Sequence, residues 1–414
     1  VAERGALRAL PAKRIIGFIA DAAERWCEAD FAPRVRASAA IEERLGYTTP
    51  VVDYALDRLF GEITREALEA AIGSELGGIA VLDGVTERTG APAAWARGVD
   101  RVVIVSSDTT IGVALVPAVF ALCAKCDVAV KDRSDALVSA FFASLAEEHP
   151  AFACAAQARP WTGGDDPAES ALLGNADTVV AFGRDETLLA IRARCGAGTR
   201  FVPFGHRVSV GRLTRREIDA LNGAASDSAG TLAEGIARDA LLYDGEGCLS
   251  LHALLVETGG DELGRTAATL AAAFERAAVE FPGGTRSPQR VAEVSSYRSL
   301  AAFRAAGGRG SVFRAADATL VVDPPRDEPP PLLPRVLPLI AVRSDDEIAD
   351  YCAGQRLPVQ ALGVAASDPR AVALAERIGA VRVAPFGTMQ APPLGGHHGG
   401  EPRIASFVRW IDRE

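Results

Sequence analysis

The sequence carries no G-x-G-x-x-G after any of its apolar runs, and only three lysines (Lys13, Lys125, Lys131) among its 44 basic residues. The missing glycines exclude the usual phosphate cradle, so a dinucleotide site here must be built in another way. No apolar run approaches the roughly 20 residues that cross a bilayer; the longest, Ile111 to Leu122, is a buried helix by length. No secretory signal is visible in a chain that starts at valine. Seven irregularly spaced cysteines do not make a disulfide framework in a chain of 414 residues, which points to a reducing cytoplasm. The single C-x-x-C, Cys123 to Cys126, invites a redox or zinc reading, but no second pair and no ordered His cluster supports one. Both cysteines suit buried helix positions better, and no metal is expected. A net charge of −10 offers no basic face to a nucleic acid.

With 49% hydrophobic and 24% charged residues, the chain reads as globular, and its length predicts two or three domains. The first 90 residues or so carry helical periodicity. Thr49-Pro50 opens a helix with Val51, Leu56 and Leu59 on one face, and Thr64 caps the next, with Leu68 and Ile72 inward. From Arg101 the texture alternates: strand "RVVIVS", an apolar helix, strand "DVAVK", a helix from Ser134, strand "DTVVAFG", helix "DETLLAIRARC", then "RFVPFG". Such alternation predicts a parallel doubly wound sheet that binds ligands at the carboxyl ends of its strands. A second α/β section runs from Val208 into the 380s, interrupted by the proline-rich link Asp323 to Pro334 and resumed by "VLPLIAV" and a helix from Asp345. A glycine-rich loop and a short amphipathic element close the chain, and no internal repeat is present.

Two residues stand out chemically. In "YDGEGCLSLHALLVE" Cys248 lies between a glycine-rich loop and an alternating strand. Flanking glycines let a substrate approach the backbone, and the Cys248 amide can point at a developing oxyanion. A thiolate there could attack a thioester and hold the acyl group, or the residue could be a small hydrophobe at a strand start. Lys131 ends the strand "DVAVK", where a ribose or phosphate would lie or where water would solvate the strand end. The acidic residue expected to bind both ribose hydroxyls of NAD is not evident after it; in "KDRSD" Arg133 and Ser134 suit a 2′-phosphate, hence NADPH. Asp239 and Asp244 are candidates to hold the cysteine loop through backbone bonds. His206 is expected to pack, and His252 to be a satisfied strand residue.

The blocks "LYDGEGCLS", "VVAFGRDET", "RFVPFGHRVSVG" and "MQAPPLGGHHGG…VRWIDRE" resemble the long-chain fatty acyl-CoA reductases of bacterial bioluminescence operons, within the aldehyde dehydrogenase superfamily. The resemblance covers most of the chain in order. It implies an α/β, aldehyde dehydrogenase-like fold: residues 1–205 as N-terminal helices and a Rossmann-like NADPH-binding domain, 206–385 as the catalytic α/β domain, and 386–414 as a loop and tail returning to the cofactor and oligomerisation region. It further implies a homo-oligomer, an acyl-CoA or acyl-carrier substrate, and an acyltransferase or acyl-protein synthetase as possible partner. By the same resemblance Cys248 matches the acyl-accepting nucleophile, Lys131 the lysine at the adenosine ribose, and Phe182 and Gly183 the turn beside the cofactor pyrophosphate. Pro203 takes the place of the water-activating glutamate of hydrolytic relatives, which favours reduction over acid release. Pro330 stands where a glutamate often holds the nicotinamide ribose.

Three departures accompany the match. Ser107-Asp108 replaces a Gly-Asn turn whose Asn donates to the oxyanion, leaving Asp108, if protonated, or Thr109 as the donor. Glu246 replaces a glutamine near the thiolate, whose pKa its charge would tend to raise, and the pair His397-His398 lacks its usual tryptophan and aspartate neighbours. Either histidine could serve as acid or base, or be a loop residue. The expected activity is NADPH-dependent reduction of an acyl-CoA to the aldehyde through a Cys248 thioester. The alternative is a weakly active or inactive relative that binds acyl groups or acyl-CoA, or supports a complex.

Overall fold

The computed structural model describes residues 5–107, 110–131, 136–159, 167–223, 227–258, 260–365 and 369–414. Asp108, Thr109, Arg133 and Ser134 lie outside the described residues. The chain divides into two compact units, one of residues 1–45, 52–205 and 393–414, the other of residues 46–51 and 206–392. The tail that joins the first unit therefore starts at Pro393, and the second unit takes in a six-residue piece from near the N-terminus.

The leading helices are Ala12–Cys27, Ala32–Leu45, Thr49–Gly61 and Arg65–Leu76. Thr64 accepts a hydrogen bond from the Ala67 amide (3.1 Å), and Leu68 and Ile72 are fully buried. Trp26 centres this helical layer: its ring lies 4.8 Å from Phe60 and 6.2 Å from Phe141, and its Nε1 donates to Ser144 Oγ. After them come strands β1 (Thr86–Arg88), where helical periodicity was expected, and β2 (Ala91–Gly98), in a stretch to which the sequence assigns no element. The alanine-rich β2 has little strand propensity of its own. Its partner is the last strand of the chain, Val408–Arg413, antiparallel from Val408↔Gly98 to Arg413↔Ala93, so pairing with a distant segment decides its state. The amphipathic element expected at the C-terminus is that strand.

The main sheet of the first unit is parallel: β3 (Arg101–Val105), β4 (Asp127–Lys131), β5 (Ala156–Arg159), β6 (Thr178–Phe182) and β7 (Arg200–Phe204), in the order β5-β4-β3-β6-β7. The order reverses between β3 and β6, the point at which open α/β sheets bind ligands. β7 is an edge strand, which accommodates Pro203. Cys123 and Cys126 are fully buried free thiols, and burial pushes both well above the usual thiol range.

The second unit holds a seven-stranded sheet of β8 (Val208–Leu213), β9 (Leu251–Glu257), β10 (Ser311–Ala315), β11 (Ala318–Val322), β12 (Val336–Val342), β13 (Val359–Val364) and β14 (Arg382–Pro385). Its order is β10-β11-β12-β9-β8-β13-β14, parallel except for the β10–β11 hairpin. β9 is central and covered on both faces: Leu254 and Val256 pack with Leu270 and Phe274, Ala253 and Leu255 with Ile348 and Leu374. Cys248 lies just ahead of this rigid strand. Among the described residues no helix is long and apolar enough to cross a membrane.

Replacing Trp26 by alanine removes the largest buried side chain of the helical layer and leaves a cavity. We expect a loss of about 3–5 kcal/mol, read as a lower urea midpoint and melting temperature for the first unit.

Candidate active site

The cysteine loop begins with an unusual backbone. Tyr243, Asp244 and Gly245 all have left-handed φ values, of 54°, 54° and 73°. For the two residues with side chains this costs roughly 1–2 kcal/mol each. Gly245 has no substitute, because a Cβ there would lie 2.7 Å from the Ala240 carbonyl. The strain is held by Asp244: its carboxylate accepts from the Gly284 amide (3.2 Å) and from Arg335 Nη1 (3.2 Å), and its carbonyl accepts from the Arg335 amide (2.9 Å). Arg335 has no exposed side-chain surface and also bonds Asp317 and the Leu241 carbonyl.

Beyond the strained run, the Gly247 amide donates to Ser250 Oγ (3.0 Å) and the Ser250 amide to the Gly247 carbonyl (2.9 Å). Ser209 Oγ donates to the Cys248 carbonyl (2.7 Å). The Ser209 amide in turn donates to His252 Nδ1 (3.0 Å), and burial lowers His252 to about 4, so it is a neutral, satisfied strand residue. Below the loop, Asp239 accepts from the Gly387 and Met389 amides (2.6 and 3.2 Å), and Gln390 Nε2 donates to the Asp239 and Leu242 carbonyls (3.1 and 2.9 Å). Burial outweighs these amides and raises Asp239 to about 7. Asp239 and Asp244 thus both hold backbone around the cysteine.

Cys248 is an exposed free thiol. The protein around it nevertheless desolvates the sulfur and raises its pKa, while hydrogen bonds from the Cys248 and Leu249 amides pull the other way. Those two donors are the groups an acyl-transfer loop uses to stabilise negative charge. The expected effect of Glu246 on the thiol is not found. Its carboxylate is bound by Arg290 through Nε (3.1 Å) and Nη2, and it is not among the groups that shift Cys248.

Tyr47 escaped the sequence reading. Gly46 turns with φ 72° and accepts from the Thr285 amide (2.7 Å), which sets the Tyr47 ring 6.0 Å from Tyr243. Burial raises the Tyr47 phenol above its usual range, helped by the charges of Glu246 and Asp244. Only the G-Y-T-T-P turn signal marked this segment, and nothing in it points 200 residues ahead.

In the first unit, Lys131 ends β4 beside the reversal point, but it is buried rather than solvated. Its Nζ lies 3.1 Å from Glu169 Oε1, and Arg194 Nη1 lies 3.0 Å from Glu169 Oε2. Glu169 is an acid at this strand end that comes from 38 residues further along the chain. On the other side of β3, the Gly183 amide donates to the Phe204 carbonyl (3.2 Å), and Phe182, Phe204 and His398 form one aromatic stack. The His398 ring sits 4.2 Å from Phe204; burial and then Arg403 lower its pKa to about 3. It is therefore neutral, with its ring held in the stack. His397 is exposed, and His206, expected to pack, is exposed as well. Among the described residues no group of three or more His, Cys, Asp or Glu could hold a metal ion.

A parallel sheet whose reversal point is flanked by Lys131 and the Phe182-Gly183 turn, with a second parallel sheet presenting an exposed cysteine, is an aldehyde dehydrogenase-like fold. The solved structures agree: a benzaldehyde dehydrogenase from Corynebacterium glutamicum, described as NAD-dependent, superposes with TM-score 0.68 at 14% identity, over 98% of this chain and 87% of that one. The aldehyde dehydrogenase KauB from Pseudomonas aeruginosa gives 0.72 at 15% identity, over 99% and 86%. An oxidoreductase from Marinobacter aquaeolei gives 0.70 at 15%, over 97% and 86%. No curated protein matches the chain in sequence. The chain belongs to the acyl-CoA reductase (LuxC) family, whose profile matches residues 7–410, and that family is one of oxidoreductases.

The neutral state of His398 has a consequence for acid stability. Its folded pKa lies below the unfolded value near 6.5, so the stability it contributes is present above pH 6.5 and is lost as pH falls toward 3. His398→Phe keeps a ring in the stack and removes the titration. The drop in melting temperature between pH 7 and pH 4.5 should be smaller in the variant, by the equivalent of roughly 2 kcal/mol.

Proposed function

We propose that this protein reduces an acyl-CoA, a fatty one, to the aldehyde with NADPH, through a thioester on Cys248. The observation that carries the reading is the Cys248 loop, with an exposed cysteine, the Cys248 and Leu249 amides acting to lower its pKa against desolvation, and a backbone clamped on both sides.

Cys248 attacks the thioester carbonyl as a thiolate; its sulfur–carbon bond forms, the bond from carbon to the CoA sulfur breaks, and CoA leaves as a thiol. The raised thiol pKa means that the loop does not hold a standing thiolate, so deprotonation accompanies attack. The Cys248 and Leu249 amides hold the oxyanion, so the acylation step does not depend on Asp108 as donor. Glu246, neutralised by Arg290, adds no repulsion there. Pro203 in place of a water-activating glutamate favours keeping the acyl group on sulfur over releasing it as an acid.

Family membership implies a nicotinamide cofactor. When bound, it supplies the hydride that reduces the acyl group. Lys131 and the Phe182-Gly183 turn flank the sheet reversal that would hold it, and Arg133 and Ser134 would take a 2′-phosphate. Glu169 makes cofactor choice a real question, because a carboxylate at this strand end could instead bind ribose hydroxyls.

Two measurements test the reading. Incubation with acyl-CoAs of increasing chain length, without cofactor, should add the acyl mass to the intact protein and none to Cys248→Ser; no adduct at any length would overturn the thioester. Steady-state rates should favour NADPH over NADH, and Arg133→Ala should erase the preference. A native preference for NADH would overturn the 2′-phosphate assignment and point to Glu169.

A further inference from the structure

The second unit contains a cavity of about 390 Å³ between the helix Pro288–Ala306 and edge strand β10, lined by Arg286, Arg298, Arg314, Val294, Ser295 and Ser299 among others, none of them acidic. Its charge is unbalanced. Among the described residues, Arg286, Arg298, Arg314 and the buried Arg335 are set around two carboxylates, Asp244 and Asp317. Both carboxylates are already engaged by Arg335, at 3.2 and 2.8 Å. Arg286 Nη2 reaches them only at ion-pair range, 3.4 and 3.6 Å, and its buried Nε and Nη2 make no hydrogen bond. Arg298 spends its donors on neutral oxygens, Thr319 Oγ1 and the Asp317 carbonyl. Burial and the charges of Arg314 and Arg286 lower the Arg298 pKa, as expected for cations crowded together.

Four guanidiniums around two carboxylates leave room for two negative charges. A phosphate monoester carries that charge on oxygens that guanidinium forks match, whereas a fatty carboxylate carries half of it. The Ser295 hydroxyl and the apolar wall at Val294 suit a phosphate attached to an organic body rather than the free ion, while the Ser299 hydroxyl is held by the Ser295 carbonyl (2.9 Å).

We propose that this arginine cavity binds the terminal phosphate of the acyl donor, the ribose 3′-phosphate of CoA. The assignment rests on the acyl-CoA reading above. Its link to the chemistry is short: Arg286 lines the cavity and pairs with Asp244, the strained residue four positions before Cys248. A phosphate in the cavity anchors the donor at its far end and leaves the pantetheine arm to carry the thioester toward the cysteine loop.

The experiment compares CoA with dephospho-CoA, which lacks only that phosphate, by calorimetry on the native protein and on Arg314→Gln. Arg314 is an exposed edge-strand residue, and Ser299→Asp, on the exposed helix face, serves as a second variant. CoA should bind about tenfold more tightly than dephospho-CoA, and the gap should close in both variants. Acylation of Cys248 by an acyl-pantetheine, which has no phosphate, should be equal in native protein and variants. Equal binding of CoA and dephospho-CoA, a gap that survives both substitutions, or inorganic phosphate competing as strongly as CoA would each overturn the proposal. Loss of acyl-pantetheine reactivity in the variants would overturn it too, since that is damage to the cysteine loop. A retained CoA preference with no adduct from either thioester supports the cavity while sinking the thioester reading, so the two failures are distinguishable.

Discussion

The cysteine loop depends on one buried ion pair. Three consecutive left-handed residues would relax if nothing opposed them, and Arg335 opposes them by taking the Asp244 carboxylate with its guanidinium and the Asp244 carbonyl with its amide. A pair so deeply buried adds little net stability compared with an apolar replacement, but losing one partner leaves a stranded charge and costs about 3–5 kcal/mol. Its value lies in geometry: it fixes the strained backbone that leads into Gly247 and Cys248. Asp239 and Gln390 brace the same loop from below, through backbone groups alone.

That arrangement accounts for the glycines around the cysteine. Gly245 is required by a positive φ and by the Ala240 carbonyl, and Gly247 sits within 3.1–3.2 Å of Gln390 and Ser250 at the place a Cβ would occupy. A thiol that only packs has no use for such a loop. Burial keeps two histidines neutral, His252 as an acceptor in the second unit and His398 as a stacked ring in the first.

Much of the fold was legible because strand–helix alternation is local: the runs ending in Val105, Lys131, Phe182 and Phe204 carry apolar β-branched or aromatic residues in short blocks bounded by turns. The cysteine loop was legible for the same reason, since its glycines and its thiol are neighbours in the chain. What was not legible depends on partners far away. The strand Ala91–Gly98 looks like nothing in particular until Val408–Arg413 lies beside it. Glu169 reaches Lys131 across 38 positions, and Tyr47 reaches Tyr243 across 196. The weight placed on Glu246 failed because its neutralising arginine is 44 residues downstream.

The composition of the second unit from residues 46–51 and 206–392 also sets an order of events at the ribosome. Gly46 and Tyr47 leave the exit tunnel long before Thr285 and Tyr243 exist to receive them, and the segment must wait while the intervening sheet assembles. Cys248 emerges next, on a loop whose props at Arg335, Gly387, Met389 and Gln390 are still unmade. Only when nearly the whole chain has been synthesised can the loop close, so the thiol acquires its surroundings last. A chain broken off early in the 380s carries Arg335 but lacks Gly387, Met389 and Gln390, so Cys248 stays on a loop braced from one side only, a species for chaperones or proteases.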